Sequence, residues 1–468
     1  MDVGVIILAA GKGKRMNSDI PKVLHQVLGR PMISYVLDAV RELKFYRIAV
    51  VTGYKSKLIR DYLSGENIYF AYQGEQLGTG NAALCAKYLF DEYDGDVLIL
   101  NGDLPMLRPE TLTGLVSCHK ESGAAVTLLT TVIDDPKGYG RVTRNAKGAV
   151  TGIVEHRDAT AKQRKIREIN AGAYCVKTEF LWNALEALNP SNTQHEYYLP
   201  DIVHLAIEGG GGANAVPAED GMEVLGVNDR RELAAVEGAL RRRTLGELMD
   251  SGVTIVDPHT TYISPQASIG IDSVIYPNTY ILGRTAIGWG SRIGPTVWIE
   301  DSTIGHDVVV NFCSHIRAST VNNGATIGPF ANLRPNSAIN SGARIGNFVE
   351  IKNSRIGHGT KVPHLSYVGD AVVGDNVNIG AGTITCNYDG FSKHTTVIED
   401  NAFIGSDTML VAPVKVGKRA TTGAGSTITE DVPPDSLALG RAKQTVIRDW
   451  ERKPPKNRAK ESRDKAKG

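Results

Sequence analysis

Two rhythms of hydrophobic and polar positions divide this chain. Up to residue 228, short β-branched runs alternate with helical ones: Val5 to Ala9, Met32 to Leu43, Ile48 to Thr52 and, further on, Val97 to Leu100. That alternation predicts βαβ units in a mostly parallel sheet, with ligands taken up at the carboxyl ends of its strands. Asp229 followed three residues later by Glu232 is a capping box, and Leu233, Val236, Leu240 and Leu248 recur at helical spacing until Ser251-Gly252. A linker helix is expected over 229–250.

Beyond it the period is six. Ile269, Ile275, Ile281, Ile287, Ile293 and Ile299 run without a break; Ile304, Val310 and Ile316 follow after a five-residue step. Another such step leads to Val321, Ile327, Leu333, Ile339, Ile345 and Ile351, and then come Ile356, Val362, Val368, Val373 and Ile379. After a gap the series resumes at Ile398, Ile404, Leu410 and Val416. Neither a 3.6-residue helix nor a two-residue strand alternation has this period, whereas a hexapeptide parallel β-helix does, each aliphatic pointing into a prism and three hexapeptides closing one coil. The gap predicts a loop on the binding face, with Asn387-Tyr388-Asp389-Gly390-Phe391-Ser392-Lys393 in it. The expected division is therefore an α/β domain over 1–228, the linker helix, a β-helix over 251–446 and a basic, disordered tail over 447–468.

Composition removes other classes. A length of 468 residues suggests about three units, and 42% hydrophobic with 22% charged residues excludes a disordered or collagen-like chain. The formal charge of +1 asks for no nucleic-acid partner; eight basic and three acidic residues between Glu451 and Gly468 confine the one local excess to the tail. Cys85, Cys118, Cys175, Cys313 and Cys386 are scattered and form no Cys-x-x-Cys pair, which argues against a disulfide framework or zinc site and predicts a reducing, cytoplasmic compartment. The apolar start, Val3 to Ala10, is too short and wrongly flanked for a signal peptide or membrane span, so no membrane insertion is expected.

The first candidate site begins with Leu8-Ala9-Ala10-Gly11-Lys12-Gly13-Lys14-Arg15-Met16 after the first strand, with Pro21-Lys22-Val23 behind it. Glycines let backbone N–H groups approach an anion, and Lys12, Arg15 and Lys22 can neutralise a polyphosphate. A Walker loop is absent, and Met16 breaks the dinucleotide pattern. Asn101-Gly102-Asp103 ends the strand from Val97, and beside a triphosphate loop its carboxylate is a candidate Mg²⁺ ligand. These strings resemble the sugar-nucleotide pyrophosphorylases, whose α/β nucleotidyltransferase domain has a Rossmann-like mixed sheet.

Joined to a hexapeptide helix, they resemble more specifically the bacterial bifunctional N-acetylglucosamine-1-phosphate uridyltransferases and glucosamine-1-phosphate N-acetyltransferases, from about Val3 to Arg441. The resemblance implies a left-handed β-helix, a homotrimer, Mg²⁺, and acetyl-CoA and UTP as co-substrates. It also implies that the product, UDP-N-acetylglucosamine, supplies peptidoglycan and lipopolysaccharide synthesis. By the same resemblance Leu8, Ala9, Ala10, Gly11, Gln73, Gly78, Thr79, Asn101 and Gly102 hold uridine and nucleotide, with Arg15 and Lys22 on phosphates. Gly140, Glu155, Asn170 and Asn228 contact the sugar or product, and Asp103 with Asn228 binds Mg²⁺. One departure stands in Glu196-Tyr197-Tyr198-Leu199-Pro200-Asp201, where the family has Thr before the Asp, so the fine shape of the sugar pocket is expected to differ from the family's.

The looped β-helix also resembles acetyl-CoA-dependent acyltransferases. Attack on a thioester needs a neutral amine, and His364 is the natural base to take its proton. The resemblance puts Arg334, Lys352 and Lys393 on the sugar phosphate, Tyr367 and Asn378 on the sugar, and Ala381, Asn387, Tyr388, Ser406, Ala424 and Arg441 along the acetyl-CoA groove. Arg334 and Lys352 are 18 apart, one coil, so they should stack on one face. Cys386 offers a rival route in which a thiol carries the acetyl group, though direct transfer is expected. Two other readings compete: nucleotidyl transfer alone, with the β-helix as an oligomerisation module, and a non-catalytic assembly protein, disfavoured by intact Arg15, Lys22, Asp103 and Asn228.

Overall fold

A computed structural model describes residues 3–452 of the chain. Residues 441–452 form no helix or strand, and the rest of the expected disordered tail lies outside the described residues. The chain separates into two compact units, Met1–Ser319 and Thr320–Gly468.

The first unit is built on a nine-stranded sheet. Its strands in chain order are β1 (Val3–Ala9), β2 (Phe45–Thr52), β3 (Tyr69–Tyr72), β4 (Asp96–Asn101), β5 (Val126–Val132), β6 (Arg141–Arg144), β7 (Val150–Val154), β8 (Glu168–Lys177) and β9 (Ala213–Pro217). They lie in the order β9-β5-β8-β4-β1-β2-β3, with β6 joined to β8 and β7. β1 runs parallel to β2 and β4, but β8 is antiparallel to both β4 and β5, so the sheet is mixed. The reversal follows from connectivity: β8 is reached through the hairpin β6–β7, where a parallel strand would need a crossover helix. Along β1, Val5, Ile7 and Ala9 enter one core and Ile6 the other, as a strand covered on both faces must.

The linker helix spans Arg230–Asp250. Asp229 accepts from the backbone N–H groups of Arg231 and Glu232 at 2.8 and 3.0 Å, the expected cap. The helix packs on the first coils of its own unit, with the Arg241 guanidinium 4.7 Å from the ring centre of Tyr262, so this compact body extends past the α/β domain.

In the second unit, strands of two to four residues repeat in threes, and Ile327 pairs with Ile345, Leu333 with Ile351 and Ile339 with Ile356. These aliphatics are buried, each filling the prism of a left-handed parallel β-helix. Buried serines brace the corners: Ser337 donates to the carbonyl of Arg334 at 2.6 Å, Ser354 to that of Lys352 at 2.7 Å and Ser366 to that of His364 at 2.8 Å. The period break is a true excursion, because Ile379 pairs with Ile404 across it.

Candidate active sites

At the carboxyl ends of β1 and β4 a cavity of about 590 Å³ is lined by Leu8, Ala9, Ala10, Gly11, Arg15, Lys22, Gln73, Gly78, Thr79, Asn101, Asp103 and Asn228. Two glycines shape it. Gly13 turns with φ +65, and a Cβ there would lie 2.8 Å from the Cβ of Lys22, so the loop leaves room for that lysine. Gly78, at φ +115, passes so close to Tyr197 that a side chain would strike its carbonyl at 2.6 Å. Gln73 is buried, and its amide N–H₂ donates to the Gly78 carbonyl at 3.0 Å and to Asn81 Oδ1 at 2.8 Å, which holds the turn carrying Thr79.

Lys22 Nζ forms an ion pair with Asp103 and donates to Asn228 Oδ1 at 2.9 Å. Asn228 is fixed from behind: its backbone N–H donates to Glu232 Oε2 at 2.5 Å, so the capping glutamate reaches one residue before the helix cap. Asp103 is tied to the same segment, its carbonyl accepting from the Val227 N–H at 3.1 Å. The two oxygen donors thus converge on one cationic point. A carboxylate and an amide oxygen suit a hard divalent ion that keeps waters and phosphate oxygens as its other ligands. Gly102 stands apart: its N–H donates to the Leu8 carbonyl at 3.0 Å, and it does not line the cavity.

A second cavity of about 210 Å³ continues from Thr79 and Asn101 to Glu155, Asn170, Tyr174, Tyr198 and Pro200. The Gly140 carbonyl accepts from the Asn170 N–H at 2.9 Å, and a Cβ on Gly140 would meet Glu155 Oε1 at 2.9 Å, so these three residues adjoin. Asn170 donates to the Tyr174 hydroxyl at 2.6 Å. Burial, with the nearby carboxylates of Asp201 and Asp158, pushes the Glu155 carboxyl up to about 7. Pro200 lies in this wall, where the departure from the family pattern falls. A wider opening of about 1330 Å³ is lined by Arg15, Tyr139, Glu155, Arg157 and Gln194 among others. Burial, then Glu232 and Asp103, push the Tyr139 hydroxyl up to about 12. Gln76, Arg157, Gln194 and Glu196 also line the first cavity, and of these the sequence motifs include only Glu196. Gln76 also had a signal, lying between Gln73 and Gly78.

On the coils, the residues fall into columns. Leu333 pairs with Ile351 and Arg334 N–H donates to the Ile351 carbonyl at 2.8 Å, so Arg334 lies one coil from Lys352, and Lys352 pairs with Gly369. Arg334 holds Glu350 at 2.9 Å, and Glu350 pairs with Tyr367. Around the corner a second column forms. Asn347 pairs with His364; three residues on from the Lys361–Asn378 pair, His364 reaches the level of Ala381. The Ala381 carbonyl accepts from Asp407 N–H at 2.7 Å and that of Ser406 from Gly425 N–H at 2.8 Å, which continues the column through Ser406 and Ala424. Arg441 Nη1 closes it on the Ala424 carbonyl at 2.8 Å. Asn378 shares the His364 face, whereas Arg334, Lys352 and Tyr367 lie on the next one.

His364 is exposed, and its Nδ1 lies 2.6 Å from Asn347 Oδ1. The loop that carries Asn387, Tyr388 and Lys393 is closed by Asp389, which accepts from the N–H groups of Phe391 and Ser392 at 2.8 and 2.7 Å and from His394 Nε2 at 2.7 Å. Asn387 donates to Asp370. Burial alone would raise the Asp370 carboxyl, but the amides of Asn353 and Asn387 hold it below the usual range. Cys386 lies level with Gly369 by the Tyr367–Ile384 pairing, and burial pushes its thiol up, opposite to what an activated nucleophile needs.

Comparison with known proteins places both halves. The family described as MobA-like NTP transferase domain matches residues 5–169, and that described as bacterial transferase hexapeptide (six repeats) matches residues 395–430. Among curated relatives, the "Bifunctional protein GlmU" of Carboxydothermus hydrogenoformans is 50% identical over 446 residues, 95% of this chain and 99% of the relative. That of Heliobacterium modesticaldum is 50% identical over 441 residues, 94% of this chain and 96% of its own length, and that of Geobacter metallireducens 46% identical over 470 residues, 97% and 99%.

Proposed function

The chain belongs to the bifunctional GlmU family, and from that premise we propose that its two reactions run at the two sites above, divided functionally at residues 228 and 250. It is a bifunctional transferase: acetyl-CoA and glucosamine 1-phosphate give N-acetylglucosamine 1-phosphate and CoA, and that product with UTP gives UDP-N-acetylglucosamine and pyrophosphate. The observation that carries the two-site reading is the column His364, Ala381, Ser406 and Ala424, a base candidate at the head of a row of small residues, in a chain that also keeps Lys22, Asp103 and Asn228 together.

In uridyl transfer a phosphate oxygen of the sugar attacks the α-phosphorus of UTP and pyrophosphate leaves. Both partners are anions, so Lys22 and Arg15 neutralise and align phosphates, while Glu155, Asn170 and Gly140 hold the sugar end. Asp103 and Asn228 would hold Mg²⁺, which supplies charge neutralisation at the phosphates when bound. Lys22 then exchanges its protein partners for a phosphate oxygen. In acetyl transfer, the sugar amine attacks the thioester carbon, His364 takes its proton, and CoA leaves as the thiol. Arg334, Lys352 and Lys393 hold the sugar phosphate, Tyr367 and Asn378 the sugar, and Ala381, Asn387, Tyr388, Ser406, Ala424 and Arg441 the acetyl-CoA.

The active form is a homotrimer. Phe330 and Phe348 stack at 5.1 Å on an outer corner, Leu365 follows in the next coil, and all three adopt left-handed backbone conformations at the surface. Large apolar residues in that arrangement favour coverage by another copy, beside His364. The enzyme acts in the cytoplasm, consistent with five free cysteines among the described residues; no described helix is long and apolar enough to cross a membrane.

A split assay tests the reading. Free thiol should appear from glucosamine 1-phosphate and acetyl-CoA without UTP, and pyrophosphate should need Mg²⁺, UTP and the acetylated sugar. Pyrophosphate without any thiol release would reduce the coils to an oligomerisation module. Sedimentation should give three copies, and Phe348→Asp should dissociate them.

A further inference from the structure

His364 is held from three sides within its own coils. Its Nδ1 meets Asn347 Oδ1 at 2.6 Å, its carbonyl accepts from the buried Ser366 hydroxyl at 2.8 Å, and the next residue's N–H, on Leu365, donates to the Asn347 carbonyl at 3.0 Å. Asn347 therefore touches the histidine segment twice, once through its side chain and once through its backbone. The two residues are also cross-strand partners in adjacent coils, so the side-chain contact is set by register. Arg344 and Lys361 precede them by three residues on the same strands, and Glu350 follows Asn347 around the corner.

We propose that Asn347 is a positioning residue for acetyl transfer: its side-chain oxygen accepts the Nδ1–H of His364 and so keeps the imidazole lone pair on Nε2, where the proton of the attacking amine is taken. This rests on the reading of His364 as the base. A neutral imidazole has one donor and one acceptor nitrogen, and the partner of one fixes the role of the other. An amide oxygen does this without adding charge. A carboxylate in its place would orient the ring equally well but stabilise the imidazolium, leaving less of the free base at neutral pH.

The test compares Asn347→Ala, Asn347→Asp and His364→Ala, with uridyl transfer by the same preparations as the control for folding. Asn347→Ala should lower the kcat of acetyl transfer by about tenfold or more, within the ~10²–10⁴ that a general base supplies, and leave KM for both substrates nearly unchanged. Asn347→Asp should be slow at neutral pH and recover as pH rises, its acid limb displaced upward by about one pH unit. An unchanged kcat in Asn347→Ala, or an acid limb in Asn347→Asp that superimposes on the parent's, overturns the proposal. If His364→Ala keeps acetyl transfer, the base assignment fails and the positioning role falls with it, an outcome distinct from either.

Discussion

The two sites are assembled by opposite means. The proposed uridyl-transfer site gathers residues from segments far apart in the chain, among them Gly11, Gln73, Asp103, Glu155 and Asn228, because loops at one edge of a mixed sheet meet there. The proposed acetyl-transfer site is a matter of register: Arg334 and Lys352 in one column, Asn347, His364, Ala381, Ser406 and Ala424 in another, each step one coil. A sheet edge lets any loop be redrawn without moving the others. A coil stack offers instead a lattice, in which choosing a position chooses its neighbours above and below.

The sharpest way to break this comparison is a crossed pair of substitutions. Lys22→Ala should lower uridyl transfer by about 10²–10³-fold, as expected for a group that stabilises transferring phosphate, and leave thiol release intact. His364→Ala should lower thiol release by about 10²–10⁴-fold and leave pyrophosphate release intact. Loss of both activities in either variant would mean that the sites are not separate.

Lys393→Ala comes next. Removing the proposed charged contact to the sugar phosphate, worth about 1.5–3 kcal/mol, should raise KM for glucosamine 1-phosphate by about 10- to 100-fold with a smaller effect on kcat. An effect confined to acetyl-CoA would move Lys393 to the other substrate.

Glu155 sharpens the contrast through pH. Its carboxyl titrates near 7 in the fold, above the ordinary 4.5, so the folded state retains a proton that the unfolded chain releases. That contribution is fully present below about 4.5 and is lost as pH rises through about 7. Glu155→Gln should therefore flatten the decline in thermal midpoint between about pH 5 and about pH 8; an unchanged decline would put the titration elsewhere.

The smallest effect belongs to His394, which closes the loop around Lys393 through an exposed bond. His394→Ala should raise KM for glucosamine 1-phosphate by about a few-fold at most, because an exposed contact of this kind holds little. His394→Gln, whose amide can still donate to Asp389, should restore it. Equal KM values across the three proteins would separate the clasp from Lys393.

Much of the coil half is readable in the sequence, because one residue in six names the inward positions, and the outward ones then follow by counting. Asn347 escaped that count: an asparagine before Phe348 has no chemistry of its own until a 17-residue step sets it beside His364. In the α/β half, the strands and the glycine loop were legible from their local patterns. The antiparallel course of β8 was not, since it depends on which connection is a hairpin. Nor were Arg157 and Gln194, polar residues of loops whose meeting place is decided by the whole sheet.

The excursion between Ile379 and Ile404 has one further consequence. These residues pair across 25 positions, while Ile404 and Thr422 pair across 18, and both pairings have the same parallel register. The prism closes beneath the loop as though nothing had been inserted. Scaffold and loop are thus structurally separable, and a foreign loop could be grafted between the same two coils without redesigning the stack.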